Sequence, residues 1–378
     1  MNINRIRNCY GCGVCASACK KSIISITLNN NGFYEPLITD TELCTDCGLC
    51  TEVCSFIHDD LSLTKTGIYS YAAWSNDPAI RHKCSSGGIG FELGKVLLEQ
   101  GYKVCGVRYN AEKERAEHYI ATTTEELIPS IGSKYIQSYT VDAFRTVNLK
   151  EKYLITGTPC QIDSFRRYIR KFRMEENFVL MDFFCHSVPS MLAWKKYRIA
   201  VEKQTGKVTY ASWRNKFTGW HDSWAISIYG EKGIYNSQLS QGDLFYKLFL
   251  GDYCCNKACQ KQCKYKYAAS SADIRIGDLW GTTYSNNEEG VNALIAFTAK
   301  GTKIMTDLKG CTLIKHPFNI VAEGQMHNNV KKAYLSLPVK WMLHSNINFP
   351  TWQWKLLFKA ERILHLPQKI LKKYYLKK

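Results

Sequence analysis

A chain of 378 residues is too long for one small cofactor-carrying module and implies two or three domains. With 45% apolar and 22% charged residues, and no uninterrupted apolar run near 18 residues, it reads as a folded protein with a sizeable core and no membrane span. The net charge of +17 favours an acidic partner, an anionic surface or a phosphate-bearing cofactor. The basic residues are scattered or terminal and form no nucleic-acid-binding motif, so nucleic acid is not an expected partner.

The first element is cysteine-dense. The chain has seventeen cysteines, and its start, MNINRIRNCYGCGVC, lacks the apolar core of a secretion signal. They are therefore expected as metal ligands in a reducing, cytoplasmic compartment rather than as disulfides. Residues 1–60 hold two copies of one motif: Cys9, Cys12, Cys15 and Cys19, then Cys44, Cys47, Cys50 and Cys54. Both have the C-x2-C-x2-C-x3-C spacing of two-cluster ferredoxins, in which three thiolates of one loop wrap one cubane and the fourth ligates the other. The spacing assigns Cys9, Cys12, Cys15 and Cys54 to one 4Fe–4S cluster, and Cys44, Cys47, Cys50 and Cys19 to a second. Gly11, Gly13 and Gly48 fit loops whose amides approach sulfur. Structural zinc, with two C-x-x-C pairs, does not match eight cysteines so spaced. The proline usual after each fourth cysteine is absent; Lys20 and Ser55 stand there.

HDDLSLTKTG then reads as a linker, and 61–345 as the larger domain. Helices are predicted over 88–100, 161–172 and 190–203, and strands over 102–107, 152–156 and 178–184. A β-rich region spans 208–235, and DIRIGDLWG and VNALIAFT read as strands. No G-x-G-x-x-G fingerprint supports a Rossmann dinucleotide site. Two loops suit an anion: Cys84-Ser-Ser-Gly-Gly88 before a helix, and Gly157-Thr-Pro-Cys-Gln161, with Thr158 at the N-cap and Pro159 at the first helical position.

From here the chain resembles the coenzyme F(420) hydrogenase/dehydrogenase beta-subunit family. The resemblance rests on SSGG at 85–88, GSKYIQS at 132–138, GTPCQI at 157–162, DFFCHSVPS at 182–190, WRNKFTGW at 213–220 and SADIRIGDLWG at 271–281, in the family's order. It implies an α+β protein: a small two-cluster ferredoxin-like domain followed by a larger mixed α/β flavin-binding domain. It implies FAD, with Ser86, Gly87, Gly88, Ser133, Lys134, Gly157, Thr158, Pro159 and Gln161 as candidate contacts. Lys134 is the expected partner of a phosphate or a reduced flavin anion. The resemblance also places cluster cysteines just before SADIRIGDLWG. A third 4Fe–4S cluster is expected there on Cys259 and Cys263, with partners among Cys255, Cys160 and Cys185. Here the sequence departs from the family's C-x-x-C spacing. Cys254, Cys105 and Cys311 are expected to be structural, His186 to be a proton donor or a packing residue, and Asp278 to hydrogen-bond backbone in its turn.

The last stretch, 346–378, sets Trp352, Trp354, Leu357, Phe358, Ile363, Leu364, Ile370 and Leu371 among lysines and Arg362. This is a basic amphipathic helix pattern broken at Pro367. It either docks on its own domain or lies peripherally on the inner membrane face. Two functional readings remain. One is an iron–sulfur flavoprotein oxidoreductase that takes electrons from ferredoxin or a partner subunit to a small two-electron substrate: F(420), or another molecule, with surface-glycan biosynthesis a context of some relatives. The other is an electron-relay subunit of a larger redox complex.

Overall fold

Each N-terminal cysteine motif turns into a short helix through a glycine in the left-handed region. Gly13 (φ 76°) precedes the helix Val14–Ala18, and Gly48 (φ 73°) precedes the helix Leu49–Glu52. A Cβ on Gly13 would lie 2.1 Å from Thr140 Oγ1, so sterics and conformation both demand glycine. Between the helices, β1 (Ile24–Leu28) and β2 (Tyr34–Ile38) pair antiparallel. This ferredoxin-like unit, like all that follows, comes from a computed structural model describing residues 2–366.

The larger part is built on a nine-stranded mixed sheet. Its strands are β3 (Tyr69–Ser75), β4 (Lys103–Asn110), β5 (Arg115–Ala121), β6 (Ser138–Tyr139), β7 (Tyr153–Thr156) and β8 (Phe178–Phe183). Three more strands, β9 (Val208–Ser212), β10 (Ala225–Gly230) and β11 (Gly233–Gln238), form a separate antiparallel sheet. The large sheet is completed by β12 (Ile274–Asp278), β13 (Asn292–Ala296) and β14 (Cys311–Lys315), in the order β14-β3-β13-β12-β8-β7-β4-β5-β6. The centre, β12-β8-β7-β4, is parallel.

The period of two divides the buried side chains between the two faces. Val104, Leu154 and Val179 join the core under the helix Ile89–Glu99. Cys105, Ile155 and Leu180 join the core under the helix Pro159–Lys171. With both faces covered, the central strands carry near-continuous apolar runs. The ferredoxin-like unit packs into the second of these cores through Val14, Ala18 and Val53, which lie with Ile162 and Phe165. The helices Met191–Thr205 and Leu244–Leu250 cover the small sheet around Trp194, Trp213 and Phe245.

The terminal helix spans Thr351–Leu364 and docks by Trp354 and Phe358 on Val339, Met342 and Leu343 of the helix Ser336–His344. Pro367 and the lysines and leucines after it lie outside the described residues. Among the described residues no helix is long and apolar enough to cross a membrane.

Candidate functional site

Cys9, Cys12, Cys15 and Cys54 line one cavity, walled by Tyr10 and Phe56. Burial raises the pKa values of all four; for Cys9, Cys15 and Cys54 the neighbouring thiols add to it, and Cys54 reaches about 12. Unpaired buried thiols in such a group become thiolates only against a compensating cation, which is what iron supplies. Gly11 N–H donates to Cys9 Sγ at 3.3 Å. The residues thus fit a 4Fe–4S cluster. In the second set, burial and then Cys19 and Cys47 raise Cys50, so Cys19 stands with the other motif's cysteines as the spacing predicts. Asn2 Nδ2 donates to Cys44 Sγ at 3.7 Å. Cys47 is exposed.

A third group forms at the carboxyl ends of the parallel strands. Cys160 begins the helix after β7, Cys185 follows β8, and Cys259 lies in the helix Lys257–Lys261 with Cys263 just beyond. Beyond the dominant effect of burial, Cys12, Cys259 and Cys185 push up the Cys160 thiol. Cys185 and Cys263 do the same to Cys259, which reaches about 12. Cys185 reaches about 11. Of the expected partners, Cys255 packs with Cys259, which helps to push its thiol up, and it also has neighbours outside the group. Ser187 Oγ donates to its Sγ at 2.9 Å, and it shares a cluster with Asp252 and His186, whose ligand atoms all lie within 4.8 Å of one another. His186 Nε2 is 2.8 Å from Asp252 Oδ1, an aspartate held at φ 61°. Cys254 and Cys105 are buried, and Cys311 packs against the core, as expected of structural residues.

The first set is tied to the third. Cys12 Sγ lies 3.3 Å from Ser164 Oγ, Ser164 Oγ donates to Ser55 Oγ at 2.8 Å, and Ser55 Oγ to the Cys160 carbonyl at 3.1 Å. Ser55 N–H also donates to Ser164 Oγ at 3.0 Å. A proline there would have no N–H to give, which explains the departure at this position. Asn256 Nδ2 donates to the Cys9 carbonyl at 3.1 Å, and Tyr10 OH to the Gln262 carbonyl. Two lysines after Cys263 act as a strap. Lys264 Nζ donates to the carbonyls of Ser55 (3.0 Å), Asp60 (2.8 Å) and His58, and Lys266 Nζ to those of Cys185 (2.7 Å) and His186 (2.6 Å). Beneath the Cys185 loop, Arg275 and Asp182 form a fully buried bidentate pair, both bonds 2.7 Å.

Three loops meet at the same edge. Ser133 N–H donates to Ser85 Oγ at 2.8 Å, and Gln161 Nε2 to Ser138 Oγ at 3.2 Å, joining SSGG to GSKYIQS and GSKYIQS to GTPCQI. Thr158 N–H donates to Gln161 Oε1 at 2.8 Å, so the predicted helix start holds. Ser86 Oγ donates to the Val291 carbonyl at 2.8 Å. A Cβ on Gly87 would meet the Ala73 carbonyl oxygen at 2.5 Å, and Gly88 sits at φ 90°. Lys134 Nζ donates to the carbonyls of Pro129 (3.0 Å), Ile131 (2.9 Å) and Gly132 (2.9 Å), while burial draws its pKa down to about 7. Ser85 and Gln161 therefore hold the loops to one another, while Lys134 and Ser86 are taken up by backbone carbonyls.

Asp278 differs from expectation: its carboxylate accepts from side chains. Arg214 donates through Nη1 (3.1 Å) and Nη2 (3.2 Å), and Trp220 through Nε1 (2.9 Å). Its backbone carbonyl accepts from the side-chain amide of Gln325, Nε2, at 2.6 Å.

Models of the coenzyme F(420) hydrogenase/dehydrogenase beta subunit match residues 70–145 (its N-terminal part) and 150–316 (its C-terminal part). A 4Fe–4S dicluster domain matches residues 8–56. The chain belongs to the F(420) hydrogenase/dehydrogenase beta-subunit family. A curated relative, the coenzyme F(420) hydrogenase subunit beta of Methanococcus voltae, is 27% identical over 291 residues, which is 71% of this chain and 96% of the relative. A chain in the xenon-derivatised F(420)-reducing nickel–iron hydrogenase complex from Methanosarcina barkeri is 19% identical. The match covers 76% of this chain and 90% of that one, with a TM-score of 0.48.

Within this chain, reading by residue missed Arg214 and Lys216. Arg214 lies between Trp224 (4.7 Å) and Trp280 (5.4 Å), and Lys216 Nζ donates to the Ser86 (2.8 Å) and Glu289 (2.6 Å) carbonyls. Their signal was present in WRNKFTGW, where two cations alternate within an aromatic-rich run.

Proposed function

We propose that this chain is an iron–sulfur flavoprotein oxidoreductase. Its two N-terminal 4Fe–4S clusters exchange electrons with a ferredoxin or a partner subunit. A third cluster, on Cys160, Cys185, Cys259 and Cys263, continues the path inward to FAD and a small two-electron substrate. The observation that carries this reading is the convergence of those four cysteines beside the Cys12 loop, through Ser164 and Ser55. FAD is proposed at the carboxyl edge, where SSGG, GSKYIQS and GTPCQI meet; ligands of open α/β sheets bind at such edges. Gly87 and Gly88 leave backbone there for close approach, and the side chains of Ser85 and Gln161 keep the loops in register. When bound, FAD couples two-electron chemistry to the one-electron clusters. The methanogen relative named as a coenzyme F(420) hydrogenase subunit supports F(420) or a chemically similar hydride carrier as substrate.

A relay subunit without FAD is the second reading, favoured by the internal hydrogen bonds that already occupy Lys134 and Ser86. Anaerobic purification with iron, sulfide and flavin analysis separates the two. About twelve irons per chain with stoichiometric FAD is the expected result. About twelve irons with no flavin, even after FAD is supplied, establishes the relay. Zinc in place of iron overturns both.

A further inference from the structure

The two terminal helices each divide into an inner and an outer face. In Thr351–Leu364, Trp354, Phe358 and Glu361 are buried at the helical spacing, whereas Trp352, Leu356 and Ile363 are 58%, 55% and 63% exposed on the other side. In Ser336–His344, Val339, Met342 and Leu343 are buried while Leu337 and Trp341 are 66% and 62% exposed. Trp341 packs on Phe349, and Phe349 on Trp354, which ties the outer side of the first helix to the buried stripe of the second. Ile347, in the connection, is 58% exposed. Large side chains so exposed in succession, two of them tryptophans, mark a contact surface rather than scattered surface residues.

Charge decides what the surface fits. Between residues 331 and 366 the cations Lys331, Lys332, Lys340, Lys355, Lys359 and Arg362 are all exposed. The segment's single acidic residue, Glu361, is turned inward. Its carboxylate accepts from the Tyr334 (2.9 Å) and Leu335 (2.8 Å) amides and faces His365 at 3.1 Å. The outer face of the segment is therefore apolar and cationic, with no carboxylate of its own. Protein interfaces are depleted in lysine. Here lysine outnumbers arginine among the cations and interleaves with tryptophan and leucine, the composition of helices lying in a lipid headgroup layer, where long cationic stems reach the phosphates.

We propose that this face docks the protein peripherally on an anionic phospholipid surface, with Trp341, Trp352 and Leu356 entering the headgroup boundary and the lysines on the phosphates. It requires neither flavin nor substrate and so stands apart from the redox reading.

The test is sedimentation of the full, cluster-loaded chain with vesicles of phosphatidylglycerol mixed into phosphatidylcholine, and with pure phosphatidylcholine. Binding is expected only to the anionic vesicles and should fall with salt. Neutralising Lys355 and Lys359 should weaken it about fivefold per charge. A Trp341→Ser/Trp352→Ser/Leu356→Ser variant should lose at least tenfold in affinity while keeping its iron content and melting temperature. Failure to bind anionic vesicles at low salt overturns the proposal. Equal binding by the triple variant also overturns it, because the overall positive charge would then suffice. Self-association or capture of a protein partner through this face, without vesicle binding, assigns the surface to protein instead.

Discussion

The two N-terminal cysteine sets and the third set use the same thiol chemistry but are assembled in opposite ways. The first two draw three ligands each from one loop of seven residues, and the left-handed Gly13 and Gly48 close those loops. The third draws its cysteines from three separate places, and its geometry depends on the parallel pairing of β7 with β8, on the buried Arg275–Asp182 pair and on the lysine strap. A locally coded site tolerates changes elsewhere in the fold. A site assembled by topology inherits every weakness of the scaffold.

The largest test of that contrast is ligand removal. Cys160→Ser or Cys259→Ser is expected to lower iron from about twelve to about eight per chain, leaving the ferredoxin-like signals intact, whereas Cys255→Ser keeps about twelve. Iron analysis with electron paramagnetic resonance reads this directly. Loss of four irons in Cys255→Ser would instead place that thiol among the ligands.

Next is the buried ion pair. Arg275→Met strands the Asp182 carboxylate, and breaking such a pair costs about 3–5 kcal/mol. Denaturant unfolding should show that loss, with the third set failing before the first two. His118 offers a pH test of intermediate size. Burial pulls its pKa from 6.5 down to about 4, and its ring bonds the carbonyl of Thr156, at the start of the Cys160 loop, at 3.0 Å. The unfolded chain binds a proton that the folded one refuses, so stability is full above pH 6.5 and falls as pH drops towards 4, by up to about 3 kcal/mol. Melting curves between pH 7.5 and 4.5 should show this slope, and His118→Gln should flatten it. Smallest is Ser164→Ala, which removes the bridge between Cys12 and Ser55 at a cost of about 1 kcal/mol. A shift in one cluster's potential with the others unchanged would mark the bridge as tuning rather than merely structural.

The same contrast explains what could be read from the residues alone. The eight ferredoxin-type cysteines needed only spacing, because their ligand geometry lies within a few residues of chain. The central strands and the helix beginning at Pro159 were legible because apolar runs and capping residues are local. Cys160 and Cys185 become neighbours only because their strands are adjacent and parallel, and Pro189 bridging Cys255 carries the later cysteines to them. No periodicity shows such a pairing. Asp278 was expected to serve its own turn, yet its main partner, Arg214, stands 64 residues away. The terminal helix was legible as amphipathic, but its division into a docked stripe and an open one depended on which residues the rest of the fold covers.

The exposure of Cys47 at one end of the chain of cysteines has a consequence for how the protein ages in air. Dissolved oxygen and peroxide meet the second cluster first, while the thiols lining the first and third sets lie deeper in the protein. Damage should therefore advance from the outside inward, with the second cluster failing while the interior is still intact. A briefly aerated sample would retain most of its iron and its fold yet have lost its outermost cluster.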